Sequence, residues 1–182
     1  MHRVPELNLY AAFINAAVVN IDFLGLDVEV VRVAVPPSVP PGAEAGYTVP
    51  SVSAISMTVE TDSSCSPRGC WRLKVISDST RIEWWATHDF LVPHEQLHIA
   101  DFTYYHNRAK AYALSRAECY STKSRAECWK RAATLRGPQY YYWLGLYNST
   151  IVRDGWDHPT YRSNRDAAKR RLRALEVICA SL

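Results

Sequence analysis

The sequence predicts an α+β chain, with a small, mostly antiparallel sheet in residues 1–90 and helices through residues 91–182. Three observations carry that reading. Runs rich in β-branched residues crowd the first half. From His94 to Cys119 there is neither Gly nor Pro, and helix formers dominate. Near the end, Ala168, Leu172, Leu175 and Cys179 recur at the spacing of one helical face. A length of 182 residues suits one domain with its own core, spanning 1–182.

Taken in order, residues 1–24 read as a helix or an irregular start. The apolar run 11–19 is crowded by Glu6, Asn8, Asn15 and Asn20, so it does not read as a signal-peptide core. In 26–35, Val28, Val30, Val31 and Val33 are interrupted by Asp27, Glu29 and Arg32, the pattern of a strand. Residues 36–50 hold five prolines and two glycines and read as a surface loop. Strands follow at 53–61, 71–77 and 80–85, with connections too short for crossover helices. A long helix then opens at His94. A second spans 124–136 and stops at Gly137-Pro138, 139–147 is helical, 148–162 is a loop, and the last helix starts near Ser163 or Asn164.

The chemistry concentrates where the first long helix opens, at Leu91-Val92-Pro93-His94-Glu95-Gln96-Leu97-His98. Residues four apart stand one above the other on a helix, so His94 and His98 can offer imidazole nitrogens to one ion. Glu95, turned about 100° from His94, lies beside such an ion and is suited to take a proton from the water it activates. This is the His-Glu-x-x-His arrangement of zinc peptidases, which implies a Zn²⁺ cofactor and a peptide or protein substrate.

The segment "HEQLHIADF", preceded by strands containing Cys70 and Trp84-Trp85, resembles a bacterial family of secreted zinc-dependent proteases, proposed from sequence and classed as a domain of unknown function. Members carry a His-Glu-Gln-x-His helix and a distal Asp-x-x-Thr-x-His-Gly element. In Trp156–Ser163, Asp157 and Thr160 match that element, while Arg162 and Ser163 stand in place of His-Gly. The resemblance covers roughly residues 50–165 and is strongest at 94–102. It implies a zincin-like peptidase, secreted or periplasmic. The alternative is a catalytically inactive zincin-like protein of the cell envelope that keeps its metal for interaction.

The third ligand must come from elsewhere. Along an unbroken helix, Glu118 would lie about 30 Å from His98, and His106 about 12 Å away. Asp101 shares the histidine face but is better placed to support a histidine N–H than to ligate. An antiparallel return brings the chain level with the histidines near 144–148, so the loop holding Asp154, Asp157 and His158 can reach over the ion. His158 is the leading choice, as an imidazole near the family's distal histidine, with Asp157 the alternative. Tyr104, Tyr105, Tyr161 and Arg162 are candidate donors to a developing oxyanion.

Five cysteines point to an oxidising compartment. Short turns predict Cys65–Cys70 and Cys119–Cys128 as disulfides, leaving Cys179 over. The net charge of +3 is mild, and the basic run 169–173 reads as a solvated helix face rather than a nucleic-acid site. No run of about 18 apolar residues is present to span a membrane. The sequence does not assign an oligomeric state.

Overall fold

One strand organises the sheet. In the computed structural model, which describes residues 18–20, 28–34, 46–65 and 70–182, β5 (Cys70–Ala86) pairs with four others. Its second half pairs in parallel with β2 (Val28–Arg32) and antiparallel with β3 (Gly46–Pro50). Its first half pairs antiparallel with β4 (Ala54–Asp62) and with the short β6 (Cys119–Tyr120). β1 (Val18–Asn20) adds antiparallel to β2. The architecture is α+β with a mostly antiparallel sheet; β2–β5 is the parallel pair.

Several boundaries differ from the sequence reading. Two strands at 71–77 and 80–85 are one, because Ser77-Asp78-Ser79 is not a turn. Asp78 is buried mid-strand, 3.3 Å from His106 Nε2 and 2.8 Å from Lys110 Nζ of the helix above. The segment 36–50 ends in a strand, β3, whose register continues through the Ser51 N–H to Arg81 carbonyl bond. In the start at 1–24, Val18–Asn20 are a strand, and the rest lies outside the described residues.

Helix α1 (Val92–Leu114) begins with Pro93 in its first turn, where a missing N–H costs nothing. It turns Glu95, His98, Phe102, His106, Ala109 and Ala113 inward, an i, i+3, i+4 stripe. His106 Nδ1 also lies 2.9 Å from Ser53 Oγ, which pins the helix to the sheet from a second point. Thr122 then caps α2 (Lys123–Arg131) by accepting from the Arg125 N–H.

The expected stop at Gly137-Pro138 does not occur. Residues 132–136 form a π turn that leads straight into α3 (Gly137–Asp154), with Pro138 in its first turn. The wider turn absorbs a residue that would otherwise clash with the carbonyl four back. α3 runs on to Gly155, which closes it in the left-handed conformation at φ 66°. α4 (Pro159–Ser181) begins four residues before its expected start and packs Ala168, Leu172 and Cys179 inward. One core gathers Ile55, Met57, Leu73, Trp129 and Leu172; a smaller one, of Val28, Ile82, Phe102 and Leu146, lies at the other end.

The disulfides are Cys65–Cys119 and Cys128–Cys179, with Cα separations of 5.6 and 5.4 Å. This corrects both expected pairings, Cys65–Cys70 and Cys119–Cys128. β6 lies against the start of β5, with Cys119 opposite Arg72, and this carries Cys119 to the turn after β4 that holds Cys65. Cys128 on α2 instead faces Cys179 on α4. Sequence separations of 54 and 51 correspond to a loop-closure term of about 4 kcal/mol each. Non-reducing peptide mapping should recover these two linkages, and a Cys119–Cys128 peptide would contradict the fold. Replacing Cys128 and Cys179 together by Ala should lower the unfolding free energy by about 2–4 kcal/mol in chemical denaturation.

Candidate metal centre

Antiparallel packing of α1 and α3 sets the first turn of one helix against the last turn of the other. Among the described residues, His94, His98 and Asp154 converge as a group that could hold a metal ion. His94 Nε2 and His98 Nε2 are 3.1 Å apart, and Asp154 Oδ1 lies 3.1 and 3.2 Å from them. Four ligands at zinc-like distances of 2.0–2.1 Å would be about 3.3–3.4 Å apart at tetrahedral angles, so the three atoms already stand near that spacing.

Hydrogen bonding fixes how His98 faces this group. Arg153 bonds to both oxygens of Asp101, at 2.9 and 2.8 Å. The Ser149 hydroxyl, which is 1 % exposed, donates to Asp101 Oδ2 at 2.9 Å. Its one proton being spent there, Ser149 Oγ accepts from His98 Nδ1–H across 2.8 Å. A neutral His98 therefore directs the lone pair of Nε2 at Asp154 and His94, as a ligand must. Asp101 supports the histidine as the sequence predicts, but through Ser149 rather than directly. Ser149 has no sequence signal until the pairing of α1 with α3 is known.

Asp154 sits at the C-terminal end of α3, where the helix dipole disfavours an anion by about 0.3–1 kcal/mol. A cation held beside it offsets that cost. The expected third ligands lie outside the group. His158 is the N-cap residue of α4, with its ring stacked on Tyr161 at 3.8 Å and 12°. Asp157 pairs with Arg162 at 2.8 Å in an exposed salt bridge, so Arg162 is engaged there as well. Asp154 takes the third place because α3 extends through the residues expected to be loop. Glu118 is remote, its carbonyl accepting from Leu73 N–H on β5.

Glu95 is only 4 % exposed and faces β3. Thr48 Oγ1 donates to its Oε2 at 2.5 Å, and Oε1 lies so close to Gly46 that any Cβ there would collide with it. β3 ends its row of strands among the described residues, so the carboxylate is held between the metal-site helix and a sheet edge. Tyr161 closes another side: burial, then the neighbouring Tyr47 and Tyr142 hydroxyls and the Asp154 carboxylate, raise its phenol above the usual tyrosine range and keep it protonated. Tyr105 instead accepts a hydrogen bond from Asn148; Tyr104 packs edge-on against it and is half exposed.

No protein-family model matches the chain, and neither the curated proteins nor the solved structures contain a match.

Asp154→Ala should abolish high-affinity metal uptake, measured by competition with a chelator of known affinity. Ser149→Ala should weaken it 10–100-fold, and His158→Ala should leave it unchanged. Full loss with His158→Ala alone would exclude this ligand set.

Proposed function

We propose that the chain is a zinc-dependent peptidase, with His94, His98 and Asp154 holding Zn²⁺ and Glu95 acting as general base. The observation that supports this most is the pairing of a convergent His-His-Asp donor set with a buried carboxylate one residue along the same helix, aligned by an edge strand. The donor chemistry suits zinc, which accepts imidazole and carboxylate together and leaves a fourth position open in catalytic sites. Bound there, the ion would polarise the scissile carbonyl and make water a stronger acid.

The protein's own groups supply the rest. Glu95 takes the proton from the attacking water and returns it to the departing amine nitrogen as the C–N bond breaks. Thr48 holds one carboxylate oxygen, and the bare backbone at Gly46 gives the other its space. The protonated Tyr161 hydroxyl donates to the oxygen on which negative charge develops. Two disulfides fit an oxidising compartment, and no helix among the described residues is long and apolar enough to cross a membrane. A secreted or periplasmic setting is therefore part of the proposal.

Purified protein should contain about one zinc per chain, by elemental analysis. Glu95→Gln should keep that zinc and lose cleavage of a broad peptide library by at least about 100-fold, the scale of a general base. Zinc-loaded wild-type protein that cleaves nothing would instead favour the metal-keeping interaction protein, a reading that Arg162 supports by standing where the family carries histidine.

Gly46→Ala offers a separate check on the geometry. A methyl group should displace the Glu95 carboxylate, so kcat should fall by about 10-fold or more while zinc content and KM stay near wild type. Unchanged kcat would remove Glu95 from the role of base.

A further inference from the structure

Beside the metal group runs a row of aromatic rings that neither the fold nor the chemistry above requires. Trp156 and His158 have ring centroids 4.3 Å apart, and His158 and Tyr161 stack at 3.8 Å. Trp143 continues the row at 6.2 Å from Tyr161 and joins Tyr142 at 5.0 Å. The inner rings are packed against the smaller core. The outer one is not: the Trp156 side chain is 56 % exposed.

We propose that Trp156, His158 and Tyr161 form the subsite that receives a bulky apolar side chain next to the scissile bond of a peptide substrate. This rests on the peptidase reading. It places the specificity of the enzyme in the turn between α3 and α4.

The position of the row argues for a substrate contact. Trp156 follows the ligand Asp154 by two residues, so their Cα atoms are within about 7 Å. Tyr161, the middle ring, lies where the Asp154 charge reaches it. The exposed Trp156 thus continues outward from the place where a scissile carbonyl would sit. Val152, one helical turn before Trp156, is 66 % exposed and adds apolar surface on the same turn of α3.

The rigidity of the row argues for recognition rather than loose exposure. The Trp156 N–H bonds to the Thr150 carbonyl at 3.3 Å and the His158 N–H to the Trp156 carbonyl at 3.1 Å. The Arg162 N–H bonds to the His158 carbonyl at 3.0 Å, so α4 holds the other end. An indole fixed in this way needs little ordering when it meets a partner, which is what makes an aromatic side chain effective in binding.

The charge pattern selects the occupant. The ion pair in this turn, Asp157 with Arg162, is closed on itself at 2.8 Å, and Asp154 is turned into the metal group. Neither a free carboxylate nor a free guanidinium in the turn faces the indole to call for a charged side chain. What is offered is ring surface, and the matching group is an aromatic or long aliphatic side chain.

The test is a binding measurement that needs no turnover. Zinc-loaded Glu95→Gln protein is titrated with capped, fluorescently labelled hexapeptides that differ at one central position, Phe, Leu, Lys or Ala, and anisotropy is read. The Phe and Leu peptides should bind about tenfold more tightly than the Ala peptide, a difference of about 1.4 kcal/mol. Trp156→Ala should reduce that advantage to under about twofold without changing zinc content, and Trp156→Phe should restore most of it. Equal or undetectable binding of all four peptides, a Lys peptide as tight as Phe, or an advantage that survives Trp156→Ala would each overturn the subsite. Cleavage of the same peptides by wild-type protein reports separately on the peptidase reading. Selective binding without cleavage would retain the platform and reject the peptidase.

Discussion

Everything at the candidate site depends on the antiparallel contact between α1 and α3. α1 alone supplies two imidazoles and a carboxylate, which is a motif and not a centre. The contact brings Asp154 to the two Nε2 atoms, and it brings Ser149 and Arg153 to the Asp101 side of His98. Ligand and ligand support therefore come from the same helix, within six residues, and any shift of α3 along α1 moves both together. The sheet fixes α1 in turn, through Thr48 at Glu95 and through Ser53 and Asp78 at His106.

The polar contacts under α1 do work that apolar packing alone does not. An apolar face lets a helix settle at several registers along its ridges, whereas the pairing of His106 with Asp78 and Ser53 admits one. These groups are buried: His106 is 3 % exposed and Asp78 is 8 % exposed. Removing one would leave the other without compensation. At the far end, the two disulfides tie the turn after β4 to β6 and α2 to α4. The helices are therefore held to each other and to the sheet by covalent links away from the site and by hydrogen bonds close to it.

The fold class and the start of the site were legible because they depend on local pattern. The β-branched runs became β2, β4 and β5, and the Gly-free stretch became α1, with His94, Glu95 and His98 in its first two turns. What was not legible depends on partners distant in sequence. Ser77-Asp78-Ser79 has the composition of a turn, yet it lies within a strand because helix side chains pair with Asp78. The pentapeptide Ser-Arg-Ala-Glu-Cys occurs twice: at 115–119 it closes a helix and enters β6, while at 124–128 it is wholly helical behind the Thr122 cap. Identical sequence gave no way to tell them apart, and both disulfide expectations failed with it. Asp154 was within reach, since Gly155 is the kind of residue that ends a helix. Reading it so would have carried α3 to the ligand and left His158 beyond the helix end.

The π turn at 132–136 has a consequence for how the ligands stay together. A single extra residue in a turn rotates everything beyond it by about 100° around the helix axis, while adding only about 1.5 Å of length. The rotation decides which side of α3 meets α1. With the turn relaxed to ordinary α geometry by removing one residue, Ser149 and Arg153 would swing away from Asp101, and Asp154 would leave the histidines, though each stayed almost level along the axis. The distance in sequence between His98 and Asp154 is thus less a spacing than an angle, set some twenty residues upstream of the ligand it orients.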